Sequence, residues 1–177
     1  LSNNSIDLII TSPPFSLQRH KSYGEVAQNE YVDWLLQFGS IAHSKLKDTG
    51  SFVIDIGGAY QKGQPIKALY PFRFMIRMCD ELGYKLAQDF YWHNPSALPT
   101  PIEWVNKRKI RCKTSVNTVW WFSKTNSPKS NIKNVLVPYS SRMKNLIERP
   151  QDFVKQEGTV RPSGHVMGMK SWAKNNG

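Results

Sequence analysis

The chain has 177 residues, enough for one domain with a hydrophobic core, and 40% hydrophobic residues with six tryptophans exclude a disordered tail. No stretch approaches the roughly 20 apolar residues of a membrane span, and the N-terminus lacks the charged-then-apolar layout of a secretion signal. The net charge of +11 favours a polyanionic partner, while Cys79 and Cys112 alone predict neither a disulfide framework nor a metal site. We therefore expect a protein of a reducing cytoplasm.

The first predicted element is a short buried strand that ends in a proline corner. Residues 6–10 are apolar except for Asp7, which predicts a strand. The corner that follows is Ser12-Pro13-Pro14-Phe15. Each proline fixes φ and removes an N–H donor, so the chain leaves the sheet in a rigid turn with outward-facing carbonyls. The prolines could simply terminate the strand, but ligands of open α/β sheets bind at this end of the strands.

Helices and strands then alternate along the first half of the chain. Helical spacing of apolar residues predicts helices over residues 31–46 and 69–82, and apolar runs predict strands over 51–56 and 84–92. The second helix is predicted to bury one face, made of Leu69, Phe72, Ile76, Cys79 and Leu82. This alternation predicts an α/β fold with a parallel, doubly wound sheet.

A last strong strand is predicted over residues 116–123, where Val119, Trp120, Trp121 and Phe122 occur in sequence. It can pair with the preceding strand as an antiparallel hairpin at the edge of the sheet. Periodicity fades after Lys124, and residues 125–134 are rich in Ser, Asn, Lys and Pro. This change predicts a boundary between a region 1–124 and a loop-rich basic region 125–177.

Positive charge is concentrated in the second part of the chain. Residues 1–100 hold nine basic and nine acidic residues, whereas residues 101–177 hold fifteen and four. One cluster precedes the last strand and consists of Lys107, Arg108, Lys109, Arg111 and Lys113. A generally basic surface would also keep the chain soluble, but basic residues interleaved with aromatics favour nucleic acid. We expect this cluster to contact phosphates without reading sequence. Arg19 and Lys21 of the loop 16–29 are expected to contact nucleic acid as well.

Three predicted strand ends should lie along one edge of the sheet: residues 12–15, 55–58 and 92–95. Asp55 is unusual because it interrupts a strand otherwise made of Phe, Val and Ile, and burying an unpaired carboxylate is costly. It could simply accept local backbone N–H groups. Its position beside Gly57-Gly58, where the backbone can approach a ligand closely, favours a functional role.

These motifs together carry a family resemblance. Thr11-Ser12-Pro13-Pro14-Phe15 after an Asp-Leu-Ile-Ile strand resembles the catalytic motif of amino-group DNA methyltransferases, in the form found in N4-cytosine enzymes. The wider match covers nearly the whole chain and is carried by residues 50–58, 87–90, 103–106, 120–124 and 161–165. The chain is similar to the permuted, beta-type group of this family.

The resemblance implies a function and a set of site residues. It implies transfer of a methyl group from S-adenosylmethionine to the N4 amine of a cytosine flipped out of duplex DNA, as in restriction–modification systems. The implied catalytic residues are Ser12, Pro13, Pro14, Phe15 and Asp55. Thr11, Ser12 and Gly57 are implied to contact the cofactor, and no metal is implied. Arg161 and His165, within the later segment 128–165, are implied to contact DNA and read its sequence.

The chain departs from the family in one respect. Enzymes of this type carry a Gly-rich Phe-x-Gly-x-Gly turn for the cofactor, and no such turn occurs here. In the permuted order that turn follows the recognition region, so we expect the chain to be a segment holding a catalytic half-domain (1–124) and a target-recognition region (125–177). A missing segment or a second chain would complete the cofactor pocket.

Two alternatives stay open from the sequence. The same corner can hold the amine of adenine, which would make this an N6-adenine methyltransferase. The chain could also be a catalytically inactive DNA-binding fragment. In each case we expect double-stranded DNA as the partner, no membrane, and a bacterial or phage cytoplasm with association to the nucleoid. A cognate restriction endonuclease would be a genetic partner only.

Overall fold

The computed structural model describes residues 1–14, 30–61 and 63–149 of the chain. The four strands are β1 (Ile6–Thr11), β2 (Leu46–Ile56), β3 (Lys85–His93) and β4 (Val116–Ser123). The three α-helices are α1 (Tyr31–Lys45), α2 (Tyr70–Asp80) and α3 (Ser141–Glu148). Short helical turns occur at Glu103–Lys107 and Ile132–Val135. No helix within these described ranges is long and apolar enough to cross a membrane.

The four strands form one mixed sheet in the order β1-β2-β4-β3. β1 pairs with β2 in parallel, whereas β4 is antiparallel to both of its neighbours, so β3 runs in the same direction as β1 and β2. The predicted hairpin of the last two strands is confirmed. A feature not anticipated is that β4, not β3, lies beside β2. The burial pattern explains this, because Trp120 and Phe122 of β4 are buried while every residue of β3 is exposed.

The hydrophobic core lies between α1, α2 and one face of the sheet. Phe122 is fully buried and packs against the rings of Phe52, Phe74 and Tyr84. The two helices approach closely at Gly39, where an added Cβ would lie 2.5 Å from the sulfur of Met78. A side chain at this position would require the side chains of Met78 and Leu82 to move. The core therefore holds α1 and α2 at fixed positions over β2 and β4.

The predicted buried face of α2 is wrong for three of its five residues. Cys79 and Leu82 are partly buried and pack against the core, as predicted. Leu69, Phe72 and Ile76 are each about half exposed, and the helix instead buries Tyr70, Pro71, Phe74 and Met78. Apolar side chains occupy more than one side of this helix, so periodicity alone did not decide which side faces inward. Contacts of Phe74 with Phe122, and of Met78 with α1, select the observed side.

β1 forms one edge of the sheet among the described residues. Leu8 is 52% exposed and Ile10 is 69% exposed, and both lie on the sheet face opposite to α1 and α2. An edge strand with uncovered apolar side chains offers free backbone N–H and C=O groups for pairing with a further strand.

The chain divides into two compact units, Leu1–Ser130 and Asn131–Gly177. The first contains the whole sheet with α1 and α2, and the second contains α3. Within the second unit, Ser140 caps α3 by accepting a hydrogen bond from the backbone N–H of Met143. A functional boundary at residue 124 stays a prediction.

Candidate active site at the carboxyl ends of the strands

The carboxyl ends of β1 and β2 lie side by side. Thr11, the last residue of β1, pairs in register with Ile54 of β2. Ser12 therefore follows on beside Asp55, the penultimate residue of β2. The third predicted strand end, at residues 92–95, reaches the same edge of the sheet, but β4 separates β3 from β2. The structure brings the first two strand ends together and leaves the third one strand further out.

The proline corner follows β1 directly and is largely exposed. The side chains of Ser12 and Pro14 are exposed, and that of Pro13 is partly buried. The hydroxyl of Tyr31, the first residue of α1, donates a hydrogen bond of 2.6 Å to the carbonyl oxygen of Pro14. The carbonyl of Pro13 and the hydroxyl of Ser12 receive no such bond from the described residues. They are available as hydrogen-bond acceptors for a ligand. Phe15 lies outside the described residues.

Asp55 is held in an unfavourable environment for a charged group. Burial raises the pKa of its carboxyl group above the ordinary value, and a smaller opposing effect comes from the side chain of Asn117 on β4. One carboxyl oxygen, Oδ1, is buried and has no hydrogen-bond partner among the described residues. A buried acceptor without a partner is costly in a folded protein. The interpretation that Asp55 only accepts local backbone N–H groups does not account for this oxygen.

A second tyrosine holds the loop that follows β2. The hydroxyl of Tyr70, the first residue of α2, donates a buried hydrogen bond of 2.5 Å to the carbonyl of Gly57. Burial raises the pKa of Tyr70 to about 12, so this hydroxyl stays a donor at neutral pH. Neither Tyr31 nor Tyr70 was predicted from the sequence to hold a strand-end loop. A signal was available, since each is a tyrosine at the first turn of a helix that follows a strand-end loop.

An apolar cavity of about 600 Å³ runs along β1 on the side of α1. Thr11, Ser12, Pro13 and Pro14 line it together with Trp34 and Phe38 of α1. Further apolar side chains of β1, α1 and β2 complete its wall, and Lys45 contributes the only charged side chain within the lining. The volume falls in the range of small-molecule sites. Of the three predicted cofactor contacts, Thr11 and Ser12 line this cavity and Gly57 does not.

The cluster before β4 divides into two sets of basic side chains. Lys107 is exposed and forms an ion pair of 3.5 Å with Glu103, and the guanidinium of Arg108 lies 5.3 Å from the ring centre of Trp104. Lys109 is exposed and adopts a left-handed backbone conformation with φ of 53°. These three side chains project from one turn of the loop and are accessible to a polyanion.

Arg111 and Lys113 are engaged in holding backbone segments together. Arg111 Nε donates to the carbonyl of Pro65 at 2.9 Å, which ties two loops to each other. The ammonium group of Lys113 donates to the carbonyls of Pro95 and Ala97 at 3.2 and 3.3 Å. Their predicted role as phosphate contacts stays a prediction, and these bonds give both residues a structural role as well.

The remaining predicted nucleic-acid contacts, Arg19, Lys21, Arg161 and His165, lie outside the described residues. Within the part of the chain that is described, no group of three His, Cys, Asp or Glu side chains is arranged to hold a metal ion. Cys79 and Cys112 are both free thiols.

Comparison with known proteins assigns this arrangement to a family. A family model described as DNA methylase, for enzymes that act on N6 or N4 amino groups, matches residues 6–176. The type II methyltransferase M.PvuII of Proteus hauseri is 61% identical over 175 residues, which cover 99% of this chain and 51% of that protein. M.MjaVI of Methanocaldococcus jannaschii is 26% identical over 162 residues, 89% of this chain and 73% of that protein.

The structure of this chain is also similar to a solved structure of this family. The solved structure of the PvuII DNA methyltransferase, described as cytosine-N4-specific, superimposes with a TM-score of 0.69 at 51% sequence identity. The match covers 92% of this chain and 61% of that structure. The chain thus spans about half the length of the first of these relatives.

Proposed function

The chain belongs to the family of DNA methylases that act on amino groups, and from that membership we propose that it forms the catalytic and target-recognition part of a site-specific DNA methyltransferase. The reaction is transfer of a methyl group from S-adenosylmethionine to the N4 amine of cytosine in duplex DNA. The observation that carries this proposal is the Ser12-Pro13 corner next to Asp55. Among the described residues, nothing donates to the Ser12 hydroxyl, to the Pro13 carbonyl or to the buried Oδ1 of Asp55.

This arrangement suits an amine that must become a nucleophile. The lone pair of an exocyclic amine is delocalised into the ring, so the amine attacks poorly. The Ser12 hydroxyl and the Pro13 carbonyl can accept its two N–H groups, which localises the lone pair and orients it. As the new N–C bond forms, positive charge develops on the nitrogen, and Asp55 can take the proton that leaves it. The raised pKa of Asp55 makes it a stronger base for that step.

The residues present fit one side of a site for S-adenosylmethionine. The cavity beside Thr11 and Ser12 is large enough for part of such a ligand, and Trp34 and Phe38 provide aromatic walls. When bound, the cofactor supplies an electrophilic methyl group on a sulfonium centre. The described residues supply no Gly-rich turn to hold its remainder, and Gly57 lies off the cavity with its carbonyl already bonded to Tyr70.

We propose that another segment or a second chain completes this site by joining the sheet at β1. The free edge of β1, the exposed Leu8 and Ile10, and the open cavity along the same strand support this proposal. Main-chain pairing at an exposed edge is an established mode of association. A strand added there would extend the sheet on the side of the proline corner.

The target base must leave the duplex to reach the corner, because its amine is otherwise engaged in base pairing. Phe15, the last residue of the Ser-Pro-Pro-Phe motif, offers a ring on which the flipped base can stack.

The proposed setting is a bacterial or phage cytoplasm, with a cognate restriction endonuclease as genetic partner. Sequence readout is proposed for segment 128–165, including Arg161 and His165.

The direct test is transfer of labelled methyl groups to duplex DNA by the protein expressed from the complete gene. Product analysis distinguishes N4-methylcytosine, the proposed product, from N6-methyladenine. Formation of N6-methyladenine would keep the family and overturn the base assignment. DNA binding without any transfer would favour the alternative of an inactive DNA-binding module.

Replacement of Ser12 by alanine is expected to lower methyl transfer by about 10- to 100-fold, the rate equivalent of one lost hydrogen bond to a reacting group. Thermal stability should not change, because the Ser12 hydroxyl bonds to no other described residue. Ser44→Ala is the matched control. Ser44 is the penultimate residue of α1, and its hydroxyl donates only to the carbonyl of Ile41 one turn earlier. Full turnover by Ser12→Ala would contradict the role proposed for the hydroxyl.

Neutralising Lys107, Arg108 and Lys109 with glutamine is expected to weaken cognate and non-cognate DNA binding equally. If each side chain neutralises one phosphate, the slope of log K against log salt should flatten by about 2.7. Binding titrations at several salt concentrations measure this. A charge-matched control replaces Lys47, Lys85 and Lys129. These lysines lie at the other end of the strands from the proline corner, near the points where β2 and β3 begin and β4 ends. An unchanged slope, or an equal effect in the control, would contradict phosphate binding by this cluster.

A further inference from the structure

Two buried tyrosines link the loop that carries Ser12 with the loop that follows Asp55 at the end of β2. Tyr31 donates to the carbonyl of Pro14, two residues after Ser12, and Tyr70 donates to the carbonyl of Gly57, two residues after Asp55. Both tyrosines are only 2% exposed. Each hydroxyl thus bonds to a backbone carbonyl two residues beyond a candidate catalytic residue, Ser12 or Asp55.

The two tyrosines also contact each other. Their ring centres are 5.1 Å apart with an interplanar angle of 80°, the edge-to-face geometry that aromatic pairs prefer. Tyr31 is the first residue of α1 and Tyr70 the first residue of α2, and both rings belong to the hydrophobic core. The loop after β1 and the loop after β2 are therefore joined through a continuous chain of contacts: carbonyl, hydroxyl, ring, ring, hydroxyl, carbonyl.

The proline corner needs such an external support. Pro13 and Pro14 have no N–H group, so the corner cannot be fixed by donating hydrogen bonds from these positions. It can be fixed through its carbonyls. Tyr31 donates to that of Pro14, whereas that of Pro13 accepts no hydrogen bond from the part of the chain that is described. Burial raises the pKa of both tyrosines, so each hydroxyl keeps its proton at neutral pH. The bond from Tyr31 thereby gives the carbonyl of Pro14 a structural role, and the carbonyl of Pro13 can accept a hydrogen bond from the substrate.

We propose that Tyr31 and Tyr70 form a positioning pair that sets the separation between the Ser12 hydroxyl and the Asp55 carboxyl. Neither tyrosine touches the substrate amine in this proposal, which rests on the proposed methyl transfer. Reactions that depend on oriented groups are sensitive to misplacements of about 1 Å. Loss of either hydroxyl therefore releases one loop and alters the geometry at both residues.

Tyr84 provides a matched control within the same fold. It is 1% exposed, and its hydroxyl donates to a backbone carbonyl, that of Gly39, at 3.0 Å. Tyr84→Phe removes a buried tyrosine-to-carbonyl bond, just as Tyr31→Phe and Tyr70→Phe do. Its acceptor, Gly39, lies in the middle of α1 and not in a strand-end loop. Any effect of losing such a bond on stability alone should be shared by all three variants.

The first test measures methyl transfer by the protein from the complete gene. Tyr31→Phe and Tyr70→Phe are each expected to lower kcat by about tenfold, with KM for DNA within about twofold, because one orienting hydrogen bond is lost. The double variant should lose less than the product of the two single losses, because both act on the same separation. Tyr84→Phe should keep kcat within about twofold. An equal loss in Tyr84→Phe, or no loss in the other two, would overturn the proposal.

The second test does not depend on activity. Amide signals of Ser12 and Gly57 are followed by NMR in the same variants. Tyr70→Phe is expected to shift the signal of Ser12, and Tyr31→Phe that of Gly57, whereas Tyr84→Phe shifts neither. Effects confined to each tyrosine's own loop would overturn the pair. If the unsubstituted protein transfers no methyl group, the proposed function fails, and these cross-loop shifts still decide whether the pair couples the two loops.

Discussion

Replacement of Asp55 by asparagine is expected to lower methyl transfer by about 10²- to 10⁴-fold, the range for loss of a positioned proton acceptor. The same substitution should leave the protein at least as stable as before at neutral pH. The reason is that the ionised carboxyl is partly desolvated and one of its oxygens has no partner among the described residues. The neutral amide avoids the desolvation cost of the charge.

The pH dependence of the free energy of unfolding provides a second test of the environment of Asp55. Because the pKa of Asp55 is raised in the folded state, the folded protein binds more protons than the unfolded chain between the two pKa values. The free energy of unfolding contributed by this group therefore falls as pH rises from the unfolded pKa, near 3.8, through the folded one. Urea unfolding at a series of pH values should show this fall, and Asp55→Asn should lack it.

A matched control for Asp55 is available on β3. Asp89 is an exposed strand aspartate that accepts a hydrogen bond from the hydroxyl of Tyr91. Asp89→Asn should retain methyl transfer within about twofold. If instead Asp55→Asn lowered the melting temperature while keeping activity, Asp55 would be a local structural acceptor and not a catalytic residue.

Replacement of Phe122 by alanine is expected to lower the free energy of unfolding by about 3–5 kcal/mol, the usual cost of removing a buried phenylalanine side chain. Phe122 is fully buried at the centre of the sheet and contacts three aromatic rings, those of Phe52, Phe74 and Tyr84. Because single domains have only about 5–15 kcal/mol of stability, much of the variant should be unfolded at physiological temperature.

Chemical denaturation monitored by circular dichroism measures this loss. Phe90→Ala is the comparison, because Phe90 also belongs to the sheet but lies on β3 and is 43% exposed. Its removal deletes one stacked contact with Trp121 and should cost less than half as much. Equal losses in the two variants would mean that the core is not centred on Phe122.

Local sequence patterns located all four strands and the corner, but β2 begins at Leu46, five residues before its predicted start at residue 51. The apolar run before Ser12 and the periodicity of α1 predicted elements that the structure contains, and the Asp in an apolar strand marked Asp55 as unusual. The resemblance to amino-group methyltransferases then predicted the family from several short motifs. These features depend on residues that are near one another in sequence, so they can be interpreted without coordinates.

Long-range packing accounts for what was missed. The buried side of α2 depends on Phe122, which lies 48 residues beyond Phe74 in the numbering of the chain. The same holds for the bonds of Tyr31 to Pro14 and of Tyr70 to Gly57, since each joins a helix start to a loop after another element. Arg111 and Lys113 were interpreted by charge alone, and only the structure shows the carbonyls that they bind.

The free edge of β1 has a consequence for handling the protein. Ile6–Thr11 is a six-residue strand rich in β-branched side chains, without proline, and such segments stack into intermolecular sheets when exposed. Its single charge, Asp7, acts as a gatekeeper against that stacking and is partly neutralised by Lys47 at 2.7 Å. Without the segment proposed above to cover this edge, the polypeptide should aggregate in a concentration-dependent way, which light scattering at several protein concentrations measures. Co-expression with that proposed segment should suppress the aggregation.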